Sequence, residues 1–196
     1  KENVIKLFSY EKYANEIKSL DSQVIDTILS EICLTPGDMA YLKHHDVLYV
    51  TLTSAFPLEK EIVEKVDKAT TELLESVGGK TSLWVLEDSS LIGGLKLRIG
   101  DTVYDGTVSE ELYHFEKNMN HEPIMDDDTV GLLIQEFTQK AEEFRPQIHK
   151  YQLGRVMTVS DGICWMDGLA DIMYGEVVEF ECGETGMVLD IQQNRI

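Results

Sequence analysis

The sequence predicts an α+β fold: a small mixed α/β domain preceded by part of a helical bundle and followed by a linking helix and a partial all-β barrel. Three observations predict it. Between 46 and 121 come a β-branched run, a long amphipathic pattern, a second apolar run, two alternating runs around Gly100-Asp101, and a last helical pattern. Ahead of these stand two stretches with apolar residues at helical spacing. After about 152 short apolar runs alternate with the turn signals Asp161-Gly162, Asp167-Gly168 and Cys182-Gly183.

Residues 2–18 place Val4, Leu7, Phe8, Tyr13, Ala14 and Ile17 roughly on one helical face. A second helix is predicted over 21–34, capped by Asp21 or Ser22, with the stripe Val24, Ile25, Ile28, Leu29 and Ile32. Thr35-Pro36-Gly37 ends it. Two short amphipathic helices cannot bury their stripes alone, so 1–45 reads as the tail of a bundle whose beginning is missing. Val47–Thr53 is a strand. Pro57 opens a helix over 58–77 with Leu58, Ile62, Val66, Ala69, Leu73 and Val77 on its apolar side. Glu61–Lys65 and Glu64–Lys68 are favourably oriented pairs on its wet side, and Gly78-Gly79 is its stop.

Leu83 to Leu86 is the next strand, and Gly100-Asp101 is the loop of a β-hairpin. Gly93-Gly94 before it indicates strained or closely approached backbone. The helix over 108–119 carries Val108, Leu112, Phe115 and Met119 on one face, with Glu110 and Glu111 in its first turn. Residues 122–148 are a linker and a helix with the stripe Val130, Leu133, Ile134, Phe137, Ala141 and Phe144, ended by Pro146. Residues 149–196 hold four short strands, at 153–159, 163–166, 176–180 and 186–191, too few to close a barrel.

Composition narrows the function. The 196 residues carry a net charge of −19, which repels nucleic-acid phosphates and anionic lipid. No apolar stretch reaches the roughly 20 residues of a membrane helix, so direct membrane insertion is not expected. Three cysteines without C-x-x-C spacing point to a reducing compartment.

Catalytic signals are weak throughout. His44-His45-Asp46 lacks a further metal ligand at diagnostic spacing, and His114 reads as a surface residue. Asp126-Asp127-Asp128 reads as a charged helix start, without the Gly and terminal Glu of a calcium loop. Glu87-Asp88-Ser89-Ser90 has no His in register to activate a serine. Neither glycine-rich phosphate motif occurs. Trp84 and Trp165 read as core or interface residues, and Lys96 with Arg98 are too few for a nucleic-acid face. The residues by themselves describe a non-catalytic interaction protein. They leave open a small metal- or nucleotide-dependent enzyme.

Thr53-Ser54-Ala55-Phe56-Pro57-Leu58, the long helix after it, Glu87-Asp88-Ser89-Ser90-Leu91-Ile92-Gly93-Gly94, the Ile99-Gly100-Asp101 turn and Tyr104-Asp105-Gly106-Thr107 resemble the C-terminal domain of the F-type ATP synthase delta subunit, the oligomycin-sensitivity-conferral protein family. The family commonly has Pro where Ser89 stands and often Ser where Gly106 stands. Its N-terminal domain is a six-helix bundle, of which 1–45 resembles the last part, and 46–121 is the delta-like C-terminal α+β domain. Met125 to Phe144 is similar to the N-terminal helix of the alpha subunit of the same machine. Gly154-Arg155-Val156, Val159 to Ile163, Gly168 to Met173, Gly175 to Phe180 and Gly186 to Leu189 look like the start of its β-barrel.

The double resemblance implies an excerpt of a delta–alpha fusion that ties the catalytic head of the synthase to its peripheral stalk during proton-driven rotary synthesis. It implies no enzymatic activity and no cofactor in this stretch, ATP and Mg belonging to the part of alpha that lies downstream. The implied partners are the b subunit and the alpha and beta subunits, at the cytoplasmic face of a bacterial plasma membrane. The implied partner-binding residues are Leu91, Ile92, Gly93, Gly94, Val108, Leu112, Phe115, Val130, Leu133, Ile134, Phe137 and Phe144; Gly100, Gly154, Gly162, Gly168, Gly175 and Gly186 are structural. A scaffold outside the synthase is the remaining alternative.

Overall fold

Residues 10–119 and 147–192 are described by the computed structural model. Helix α1 (Tyr10–Glu31) is one continuous helix where two were expected. The join, Ser19-Leu20-Asp21-Ser22, contains no Gly or Pro, and Asp21 is buried instead of capping a new start. An interior Asp lowers helix propensity by only some tenths of a kcal/mol, roughly 0.7 at most, less than one buried aliphatic side chain returns. Val24, Ile25 and Ile28 are fully buried, in one core with strands of the sheet and with the next long helix. The sheet therefore takes up the stripe of α1 within the described residues.

Asp21 carries a testable consequence. Burial, and after it the charge of Glu59, push its pKa from 3.8 up to about 6. The folded value lies above the unfolded one, so folding favours the protonated form. Its contribution is whole below pH 3.8, declines as pH rises through the interval, and is gone above about 6. Asp21→Asn keeps the shape and removes the titration. It is expected to raise stability by about 1–3 kcal/mol near neutral pH and to lose that advantage in acid. Thermal melts of both proteins across pH check this.

Thr35-Pro36-Gly37 ends α1 and also starts α2 (Pro36–Leu42), a short helix not expected from the sequence. Thr35 Oγ1 accepts from Asp38 N at 3.1 Å, Asp38 Oδ2 accepts from Thr35 N at 2.9 Å, and Pro36 stands in the first turn. This is a capping box, legible in the T-x-x-D spacing.

Strand β1 (Val47–Ser54), helix α3 (Lys60–Glu75) and strand β2 (Lys80–Glu87) form a crossover unit, with β1 and β2 parallel. The buried ridge of α3 is Ile62, Val66, Thr70 and Leu74, one residue every turn. Ala69 and Leu73 are half-buried, and Val77 lies exposed beyond the helix end, correcting the expected stripe. Thr70 tolerates burial because its hydroxyl donates to Val66 O at 2.8 Å. The cations of α3 reach partners other than those expected: Lys65 pairs with Asp26 of α1, and Lys68 with Glu72.

Strands β3 (Gly94–Ile99) and β4 (Thr102–Thr107) are the predicted hairpin, and helix α4 (Val108–Met119) follows directly. A fifth strand, β5 (His149–Gln152), pairs antiparallel with β4. The sheet order is β2-β1-β3-β4-β5. Leu48, Val50 and Leu52 from β1, Leu95, Leu97 and Ile99 from β3, and Tyr104 from β4 face α1 and α3 and form the core. Trp84 is 57% exposed on the edge strand, so it is no core residue. Trp165 is half-buried.

Beyond the sheet, β6 (Gly154–Ser160) pairs with β7 (Ile163–Gly168), and β8 (Val177–Glu179) with β9 (Thr185–Met187). The β6–β7 turn has positive φ at both Asp161 and Gly162, the geometry that D-G specifies. The described residues hold these as two separate hairpins and no closed barrel.

Candidate interaction site

Strand β4 is buried along its whole length, and in its middle sits a carboxylate. The Asp105 side chain is fully buried and all its near partners are donors. Oδ1 accepts from Thr107 N at 3.0 Å and Thr107 Oγ1 at 2.6 Å; Oδ2 accepts from Lys96 Nζ at 2.7 Å and Tyr151 Oη at 3.1 Å. A buried charge is tolerated when paired and fully hydrogen-bonded in this way. Burial alone would lower the Lys96 pKa, but the hydrogen bond and charge of Asp105 outweigh it and the net shift is upward. Burial first, then the charge of Asp105, push the Tyr151 phenol up to about 12, so it stays a donor.

Thr107 carries this network to the next element. Its Oγ1 also lies 3.0 Å from Ser109 Oγ and accepts from Glu110 N at 3.3 Å, which caps α4. Asp105 therefore fixes where the helix starts. At its far side α4 reaches the β8–β9 hairpin: Glu179 accepts from Tyr113 and, at 2.6 Å, from Lys117. Those two hydrogen bonds, Lys117 first, hold the Glu179 pKa below its ordinary value.

Strand β5 is fastened from both faces of the sheet. On the core side Lys150 Nζ lies 5.3 Å above the Tyr104 ring and 3.5 Å from Cys33 Sγ. Cys33 N donates to Tyr104 Oη at 3.2 Å, and burial above all raises the Tyr104 pKa. On the other side His149 stacks on His114 of α4, with centroids 4.2 Å apart. Glu110 Oε1 lies 3.3 Å from His114 Nε2, and Glu111 Oε1 3.4 Å from His149 Nε2. The His149 contact has ion-pair distance without hydrogen-bond alignment. His114 is thus a packed residue of the α4–β5 junction, where a plain surface position was expected.

The predicted partner-binding residues divide into three sets. Leu91, Ile92, Gly93 and Gly94 come together with Val108, because the short 3-10 turn Ser89–Leu91 sits under the start of α4 and Val108 N donates to Gly93 O at 3.0 Å, while Leu112 lies one turn further along α4. Within this group Leu91, Gly93 and Gly94 are buried, and Ile92, Val108 and Leu112 are half-buried. Phe115 belongs to α4, with its side chain outside the described residues. Val130, Leu133, Ile134, Phe137 and Phe144 also lie outside them. Of the structural glycines, Gly100, Gly162, Gly168 and Gly175 have positive φ, while Gly154 and Gly186 abut Leu169 and Phe180.

Sequence reasoning missed His149, Lys150 and Tyr151. The alternation Ile148-His149-Lys150-Tyr151 was the available signal, but it is short and follows Pro146. Tyr41 stacks on His45 with ring centroids 4.2 Å apart, and the described residues contain no group of three or more potential metal ligands. No described helix is long and apolar enough to cross a membrane.

Against known proteins, the family described as "ATP synthase delta (OSCP) subunit" matches residues 11–119. The ATP synthase subunit delta of Caldanaerobacter subterraneus is 32% identical over 118 residues, 60% of this chain and 64% of that protein. The subunit delta of Geotalea uraniireducens is 44% identical over 66 residues, 34% of this chain and 35% of that protein. The ATP synthase subunit alpha of Alcanivorax borkumensis is 51% identical over 43 residues, 22% of this chain and 8% of that protein. The chain thus spans less than two thirds of the length of each of these relatives.

Proposed function

Since the chain belongs to the ATP synthase delta (OSCP) subunit family over more than half its length, we propose that it is a stator element that ties the catalytic head of an ATP synthase to the peripheral stalk. The observation that carries this is the coexistence of a delta-type body and an alpha-like stretch in one chain. On this reading the union is an in-frame delta–alpha fusion. The body docks the b subunit of the stalk near Ile92, Val108, Leu112 and Phe115. The stripe Val130, Leu133, Ile134, Phe137 and Phe144 makes a second protein contact. The 149–196 strands belong to the head, beside the alpha and beta subunits.

The work is mechanical. A rotary machine delivers no torque to its head unless the head is held, and holding requires stiffness more than chemistry. The Asp105 network supports this role: its polar groups are satisfied by one another, and they fix α4 to the sheet. The chain carries no cofactor of its own and sits peripherally at the cytoplasmic face of the membrane, held there by its partners.

The test is a calorimetric titration of the full chain with the soluble part of a b subunit. Saturable binding is expected, weakened at least about tenfold, or about 1.4 kcal/mol, by Leu112→Glu in a variant whose melt shows it folded. Absence of binding by the unaltered chain, or ATP hydrolysis by it, overturns the reading.

A further inference from the structure

Among the described residues, strand β2 is an edge of the five-stranded sheet. Lys80 N donates to Asp46 O and Asp88 N donates to Ser54 O, so the even-numbered residues of β2 turn their backbone groups toward β1. Thr81, Leu83, Val85 and Glu87 therefore turn theirs outward. Edge strands are ordinarily blunted by Pro, a bulge or a central charge. Lys80–Glu87 has no Pro, pairs with β1 in unbroken register, and has no charge between its first and last residues. It is also apolar where it is open: Trp84 is 57% exposed, Val85 43% and Leu86 49%. Tyr49, 57% exposed on β1, continues the patch on the same face as Trp84, since Thr51 lies opposite Trp84.

We propose that β2 pairs antiparallel with β2 of a second copy of this chain about a two-fold axis through Trp84, extending the sheet across both molecules. An axis normal to the sheet preserves its faces, so residues opposite one another must share a face. The register centred on Trp84 joins every outward-facing residue: Thr81 with Glu87 and Leu83 with Val85, each twice. Trp84 then meets Trp84 of the second copy in a non-hydrogen-bonded pair, where side chains come closest. The same register sets Lys80 opposite Asp88 at both ends. The hydrogen bonds from Ser90 keep the exposed Asp88 carboxylate below its ordinary pKa, hence charged. A register centred on Leu83 puts Lys80 opposite Leu86 and loses both charge pairs. The net charge of −19 per copy opposes association, so the dimer forms reversibly and tightens as salt screens that repulsion.

Sedimentation velocity of the full chain over a concentration series is expected to show a monomer–dimer equilibrium. Trp84→Lys should weaken it at least tenfold, about 1.4 kcal/mol. Val159→Lys, on the exposed β6–β7 hairpin, should leave it unchanged, with Val159 itself 69% exposed. In a chain with Cys33, Cys164 and Cys182 replaced by Ser, Trp84→Cys should oxidise to a disulfide dimer and Leu83→Cys should not. A monomer at every concentration overturns the proposal, as does a dimer sensitive to Val159→Lys and indifferent to Trp84→Lys. If Trp84→Lys abolishes b-subunit binding while the unaltered chain is monomeric, the edge serves a foreign strand and self-pairing is wrong. Because Leu112 and Trp84 stand on different elements, the stalk-docking reading and this one fail separately.

Discussion

Asp105→Asn is expected to destabilise the protein by about 3 kcal/mol, the range for leaving one member of a buried ion pair without its partner. The amide keeps the volume but withdraws the negative charge from Lys96, whose side chain is only 31% exposed. It also presents an N–H₂ group to an environment built of donors: Thr107 N, Thr107 Oγ1, Tyr151 Oη and Lys96 Nζ. At least one of those contacts becomes donor against donor. The loss spreads to α4, because Thr107 Oγ1 is held by Asp105 while it caps Glu110 N. Urea unfolding measures the total, and faster amide exchange over Glu110–Leu112 identifies the cap as part of it. Lys96→Met added to Asp105→Asn should recover a portion by removing the stranded cation. No recovery would show that the cation was not the source of the cost.

Gly94→Ala is expected to lose at least about 3 kcal/mol, enough to unfold a marginal domain. Gly94 has φ +75, where a side chain is strained, and an added Cβ would stand 2.2 Å from Gly106 O and 3.1 Å from Thr107 Cα. Both obstacles are backbone of the paired strand, so neither can step aside without opening the ladder at Gly94–Thr107. Gly93→Ala is the control. Its Cβ would meet Val108 Cγ2 at 3.4 Å, ordinary contact with a side chain. A loss of about 1 kcal/mol or less is expected there. Equal losses at the two positions would contradict the geometry.

These positions show what the sequence made legible. The adjacent glycines marked a close approach, and the structure places it at Gly94, against β4. The hairpin, the strand–helix–strand order ahead of it and α4 were readable because each carries its own periodicity or stop signal over enough residues. What failed was decided by tertiary contact. The Asp21 break was a local signal overruled by a stripe that runs on into the core. The buried ridge of α3 includes Thr70, whose polarity hid it until its hydroxyl was seen bonding within the helix. Strand β5 is four residues long and its partner lies more than forty residues away, so the alternation from Ile148 to Tyr151 was too short to announce it. Asp105 was quoted as part of a motif, but its importance comes from Lys96 on β3 and Tyr151 on β5, which only the register brings together.

The placement of β5 also sets an order of assembly. Strands β3 and β4 are neighbours in the chain and zip across a two-residue loop. Strands β1 and β2 close through one helix. The β4–β5 pair must instead join residues more than forty positions apart in the chain for a return of only four ladder residues. That contact returns too little to stand before the rest of the sheet exists. Strand β5 is therefore expected to join a sheet already built. Lys150, Tyr151 and His149, which lie against Tyr104, Asp105 and His114, are then expected to be the first seam to part, which faster amide exchange in β5 than in β1 or β3 would show.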